Sequence, residues 1–262
     1  MTDLIMFMGQ SNMAGRGDSA KAILCPIEAG WEYRPVTAPD TLFPIAEPFG
    51  RQENRPGGID DKDKKSGGLV SAFAESYYRQ CGRQLIAVSA SEGGTSIAQW
   101  LERLLPDALS RLKQAKAFME KQGTPPERIL VIWCQGETDA DHDLSAEQYS
   151  ESFLKIWRQL KAAGAEHCFV IQIGHFNYLL HPEGRNGADG ETLDRRYGVI
   201  RQAQQQLCES REDLTLAASL EPYLQLMKDS FHYHQEAYNQ VGEEAGRAAG
   251  LWREQHDRSV QG

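Results

Sequence analysis

Three things are scarce in this chain of 262 residues, and each scarcity excludes something. Long apolar runs are missing. Stretches such as residues 129–133 fall far short of the roughly 20 residues that cross a bilayer, so no membrane is expected as a partner. Positive charge is in deficit, with 28 Lys and Arg against 37 Asp and Glu and a net charge of −9. Nucleic acid and anionic membrane surfaces both need a basic footprint, and neither is an expected partner. Cysteines are few and scattered: Cys25, Cys81, Cys134, Cys168 and Cys208 are odd in number and form no C-x-x-C pair. They read as reduced structural thiols. Without a basic segment leading into an apolar stretch near Met1, the sequence reads as cytoplasmic, unless a signal has been removed from it.

The composition is that of a folded globular protein, with 40% hydrophobic and 25% charged residues. Five short apolar runs, at 4–8, 84–89, 129–134, 168–173 and 214–219, have the length of buried parallel strands. Helical spacing lies between or after them: 69–80, 97–121 with a bend or break at Pro106, a helix opened by Ser145 with Gln148 placed for a capping box, 197–208 and 235–252. The alternation predicts an α/β fold, a three-layer α/β/α sandwich around a five-stranded parallel sheet of flavodoxin-like order. No linker divides the chain, so residues 1–262 read as a single domain. Two stretches fall outside the alternation. Residues 14–67, rich in proline and glycine, read as a long loop insertion, and 175–195 as a second polar loop. Both leave the strand carboxyl ends, the sheet edge where α/β proteins bind ligands.

Four short segments at that edge can carry chemistry. In Gly9-Gln10-Ser11-Asn12-Met13 a serine follows the first strand, placed either as a nucleophile or as a helix cap. In Asp229-Ser230-Phe231-His232-Tyr233-His234 the Asp229 carboxylate can hold the His232 ring and leave its other nitrogen free as a base. His234 is the competing base, and simple helix capping is the alternative. The glycines of Ser91-Glu92-Gly93-Gly94-Thr95-Ser96 expose backbone N–H groups that suit an oxyanion or, alternatively, a tight turn around phosphate. In Trp133-Cys134-Gln135-Gly136-Glu137-Thr138-Asp139 the Gln135 amide is a further candidate donor, unless Gln135 and Glu137 are ordinary polar loop residues. The four segments follow the first, second, third and fifth predicted strands, so one sheet edge gathers them. That convergence favours a Ser11–His232–Asp229 triad.

These segments also carry a family resemblance. The chain resembles the SGNH (GDSL-like) hydrolases, and within them the sialate O-acetylesterase-like domain of carbohydrate esterase family six. The resemblance rests on Gly9 to Met13 with Gly15-Arg16-Gly17, Gly93 to Ser96 with Trp100, Trp133 to Asp139, Ile200-Arg201-Gln202-Ala203-Gln204, and Asp229 with His232. It implies a nucleophilic Ser11, a His232–Asp229 pair, and an oxyanion hole built from the N–H groups of Ser11 and Gly94 (Gly93 as the alternate) with the Gln135 side chain. The wider superfamily has Asn where this chain has Gln135. Cys134 stands where close relatives often carry a bulkier or polar residue.

The expected activity is removal of O-acetyl groups from a carbohydrate, of sialate or acetylxylan type, through an acetyl-serine intermediate. The polar insertion favours a sugar over a small non-sugar ester. A non-catalytic carbohydrate-binding module on the same fold is the alternative from another class. Gln10, Arg16, Trp100 and Glu137 are the expected substrate contacts, Arg16 having Asp18 or Asp139 as its other candidate partners. Trp31, Tyr33 and Tyr178 are candidates either for stacking on a sugar or for loop packing. No metal and no cofactor are expected: Asp139, Asp141 and Asp143 lack the rest of a calcium loop and read as a solvated acidic loop.

Overall fold

The computed structural model describes residues 2–258. Its frame is a seven-stranded sheet: β1 (Thr2–Gly9), β2 (Gly30–Arg34), β3 (Ala38–Pro44), β4 (Gln84–Ser91), β5 (Ile129–Cys134), β6 (His167–Gln172) and β7 (Leu214–Ser219). The spatial order is β3-β2-β4-β1-β5-β6-β7, and every pairing is parallel except β2 with β3. The five strands expected from the sequence are all present. Taken by themselves they run second, first, third, fourth, fifth, which is the flavodoxin-like order.

The count of five is corrected to seven, because the insertion is not structureless. It contributes β2 and β3, which extend the sheet beyond β4. Its remainder is tied down by long-range polar contacts. The fully buried Arg111 guanidinium donates to the carbonyls of Glu53 (3.1 Å) and Ser89 (3.0 Å). Lys65 Nζ donates to Ser89 Oγ at 2.8 Å, and burial beside Arg111 pulls its pKa down to about 8. The Glu47 carboxylate accepts the N–H groups of Phe49 and Val70, both at 3.0 Å.

Period-two alternation decides the layers. Leu4, Met6 and Met8 of β1 enter one core, while Ile5 and Phe7 enter the other. The first core is covered by α4 (Leu105–Lys121), α6 (Ala146–Ala162) and α7 (Gly190–Glu209). The second lies under α2 (Val70–Cys81) and α8 (Gln235–Arg258). The short helices α1 (Ser11–Ala14), α3 (Ile97–Gln99) and α5 (Glu137–Asp141) begin at the strand ends.

Two helix boundaries differ from expectation. The break before α4 is a π-helical segment, Trp100–Leu104, and Pro106 sits in the first turn of α4, where its missing N–H costs nothing. Helix α7 starts at Gly190 instead of 197, because the Asp189 side chain caps it by accepting the Thr192 N–H at 2.8 Å. All five cysteines are free thiols. Among the described residues no helix is long and apolar enough to cross a membrane.

Candidate active site

Sheet register builds the site. Gly9 pairs with Ser91 on β4 and with Cys134 on β5, so three carboxyl ends finish level and their following loops meet. Gly9 has φ +150°, and a Cβ there would overlap the Cys134 carbonyl. Only glycine lets β1 end that close to β5, and the Gln10 N–H then donates to the same carbonyl at 2.9 Å. The chain turns at once into α1, which makes Ser11 its first residue and leaves it 7% exposed. Gly93 backs onto it: a Cβ at Gly93 would stand 3.2 Å from the Ser11 Cβ and would strike the Arg16 guanidinium. Gly94, at φ +71°, lines the cavity beside it.

From the far end of the chain, the loop before α8 brings in the imidazole. His232 Nε2 lies 3.0 Å from Ser11 Oγ, and His232 Nδ1 lies 3.0 Å from Asp229 Oδ2. The other Asp229 oxygen accepts the N–H groups of Phe231 and His232, both at 2.8 Å. Partial burial raises the Asp229 pKa, but the His232 hydrogen bond and these N–H donors outweigh it and bring it down to about 2. Asp229 is therefore an anion at neutral pH and fixes Nδ1 as the protonated nitrogen. His234, the competing base, is outside the array and lines a separate surface pocket.

A cavity of about 510 Å³ opens over the pair. Its walls include Gln10, Arg16, Glu137, Arg185 and Phe231. Three of the four residues expected to contact substrate, Gln10, Arg16 and Glu137, line this wall. Arg16 pairs with Asp61 at 2.7 Å, and not with Asp18 or Asp139. Glu137 is buried and accepts Asn12 Nδ2 at 2.5 Å; burial raises its pKa and the Asn12 bond pulls it back.

Trp100, the fourth, is corrected. It is fully buried and packs edge-on against Trp133 at 5.0 Å, inside the core under the sheet. Tyr33 is likewise buried, stacked on Phe118, and neither Trp31 nor Tyr178 lines the cavity. The aromatic face on the cavity wall is Phe231, with the Arg185 guanidinium 5.0 Å from its centroid. Both were missed in the sequence: Phe231 lay in a segment read for its Asp and His, and Arg185 in a loop without a motif.

Gln135 also departs from its expected role. It is fully buried and its amide points inward, donating to the Thr95 carbonyl (3.0 Å) and to Asp139. With those acceptors holding Nε2, Gln135 is not placed to meet an oxyanion in the cavity. Nor are the three aspartates a uniform solvated loop. Asp139 is buried and accepts the Ile97 N–H at 3.0 Å, and burial lifts its pKa to about 6. Asp141 sits on the cavity wall, 3.5 Å from Arg185, and only Asp143 is exposed. Among the described residues no group of three or more His, Cys, Asp or Glu is arranged to hold a metal ion.

A parallel α/β sheet with this serine, imidazole and carboxylate at its carboxyl edge has the plan of a carboxylic ester hydrolase. Within that class, residues 1–250 match the family described as carbohydrate esterase, sialic acid-specific acetylesterase, and the chain belongs to that family. The X-ray structure of a protein from Arabidopsis thaliana is similar with a TM-score of 0.67 at 20% identity, over 94% of this chain and 97% of that one. A carbohydrate acetylesterase from Xanthomonas citri is similar with a TM-score of 0.53 at 16% identity, over 94% of this chain and 55% of that longer one. At these identities the likeness is one of fold. No curated protein sequence matches the chain.

Proposed function

We propose that this protein hydrolyses O-acetyl esters on a carbohydrate, with Ser11 as nucleophile, His232 as general base and acid, and Asp229 as the residue that holds His232. The observation that carries this reading is the array Asp229–His232–Ser11, with both of its links at 3.0 Å. In the first half-reaction Ser11 Oγ bonds to the ester carbonyl carbon as His232 Nε2 takes its proton. The carbonyl π pair moves to oxygen, and the N–H groups of Ser11 and Gly94 meet the charge that forms there. Collapse expels the sugar hydroxyl, which leaves with the proton from His232, and acetyl-Ser11 remains. Water, deprotonated by His232, adds to that acyl group and releases acetate in the same way.

The substrate side of the proposal rests on the cavity. Most of the residues on its wall are polar or charged, with Phe231 supplying one flat face. Such a wall suits a hydroxyl-rich sugar better than an alkyl chain. The family's own description points the same way.

The test begins with nitrophenol release from nitrophenyl acetate by wild type and Ser11→Ala, and continues with acetate release from a panel of acetylated sugars. A burst in wild type that is lost in a folded Ser11→Ala variant is the expected result. An active Ser11→Ala variant would overturn the nucleophile assignment, and a folded wild type inert to every ester would overturn the esterase reading.

A further inference from the structure

The fully buried Gln135 amide leaves the site without the side-chain donor that its third loop was expected to supply. Gln10 stands immediately before the nucleophile and borders the same cavity as Ser11 and His232. Its side-chain oxygen is committed. Gln10 Oε1 accepts the backbone N–H groups of Gly136 (3.3 Å) and Thr138 (3.4 Å), and Gln135 Nε2 lies 3.4 Å from it. Backbone N–H groups can only donate, so the atom facing them must be oxygen and the amide has one allowed orientation. That orientation turns Nε2 away from the β5–α5 turn. Among the described residues no protein acceptor meets Gln10 Nε2.

We propose that Gln10, held in this orientation by the β5–α5 turn and by Gln135, is the side-chain donor that meets the ester oxygen during acyl transfer. The inference rests on the esterase reading above. Gln135 then acts through Gln10: it donates to Oε1, and its own nitrogen is anchored on Thr95 and Asp139. A donor whose partner groups are fixed before the reaction needs no reorganisation as charge develops on the carbonyl oxygen. The Gln135 side chain spans to Asp139 and Thr95, and the donor's place is taken from the first loop instead.

Two variants separate a donor from a structural brace. Gln10→Glu keeps an oxygen that accepts from Gly136 and Thr138 and removes the N–H donor; Gln10→Met keeps the size, removes both functions and adds no charge. With nitrophenyl acetate, each folded variant is expected to lose on the order of 100-fold in kcat, with KM within about threefold of wild type. Labelling of Ser11 by diethyl nitrophenyl phosphate, whose phosphoryl oxygen occupies the same position, should slow in parallel. A Gln10→Glu variant within threefold of wild-type kcat would overturn the proposal and leave Gln10 as a brace for the turn. Where Gln10→Glu does not fold, the same threshold applied to Gln10→Met decides the matter. A wild type that neither hydrolyses esters nor is labelled at Ser11 sinks the esterase reading itself, an outcome read from wild type alone.

Discussion

The Asn12 amide nitrogen lies 3.2 Å from the Phe231 carbonyl, joining the residue after the serine to the residue before the histidine. The two are 219 positions apart in sequence, yet this contact sets how far α1 stands from the loop that carries His232. Asn12 is itself held on both sides. Its nitrogen also donates to Glu137 Oε1, and its oxygen accepts the Tyr238 hydroxyl of α8 at 2.7 Å. A second tether acts on the same loop, where Lys228 Nζ donates to the Arg16 carbonyl. Ser11 and His232 thus meet at 3.0 Å because their neighbours are bonded, beyond any attraction between the two themselves.

Asn12→Ala should therefore damage catalysis without touching a reacting atom. It removes the tether and leaves a buried carboxylate and a buried hydroxyl without their partner. Each such orphan costs about 1–3 kcal/mol, so a stability loss of about 2–6 kcal/mol is expected in urea unfolding. In the fraction that remains folded, kcat should fall on the order of 10- to 100-fold from misplacement of the imidazole. Asn12→Asp should recover less than half of the stability, because its carboxylate would face Glu137. Unchanged kcat in Asn12→Ala would show that the His232 loop is positioned without this contact.

How much of this was legible in sequence depended on whether the cause was local. The five expected strands were, because each is a short apolar run, four of them buried along nearly their whole length and β7 in part. So was the meeting of Ser11 with His232 and Asp229, because Ser11 lies just past the end of β1 and the other two share a three-residue spacing in the loop before α8. Strands β2 and β3 were not. Trp31, Glu32 and Tyr33 show no helical or strand signature strong enough to stand out among prolines. What orders the rest of that insertion is Arg111, Glu47 and Lys65, whose partners are far away in the chain. Trp100 and Gln135 failed for a related reason. Sequence placed both at the right sheet edge, but the direction of a side chain there is decided by core volume around Trp133 and by the acceptors Thr95 and Asp139.

A second prediction concerns acid stability. His167, 2% exposed, is held by Thr215 Oγ1 at 2.8 Å and lies against Trp252. Burial, helped by the nearby His256, lowers its pKa from 6.5 to about 4. Between those values the unfolded chain binds a proton at this residue and the folded chain does not. The contribution to stability is thus complete above pH 6.5 and is lost progressively as pH falls toward 4. Its full size is about 3 kcal/mol, since each tenfold weakening of proton binding is worth about 1.4 kcal/mol. His167→Gln keeps a partner for Thr215 and cannot titrate. Measured by urea unfolding at pH 7 and pH 4, the variant should lose about 2–3 kcal/mol less than wild type over that interval. Equal losses would mean that His167 does not carry this proton linkage.

The last prediction separates the aromatic that sequence favoured from the cation it passed over. Trp100 is sealed in the core against Trp133, whereas Arg185 lines the cavity with its side chain 44% exposed, between Phe231 and Asp141. A ligand entering the cavity over Ser11 finds Arg185 on its wall and does not reach Trp100. Trp100→Phe should then cost stability, about 1–3 kcal/mol from the volume removed, and leave KM for an acetylated monosaccharide within error. Arg185→Ala should do the reverse. Melting should change little, because its ion pair with Asp141 is long and half-exposed, while KM rises on the order of three- to tenfold with kcat nearly constant. That split identifies uniform binding lost from the cavity wall. If instead KM rises in Trp100→Phe and not in Arg185→Ala, the sugar would have to enter along a different face from the one the cavity presents.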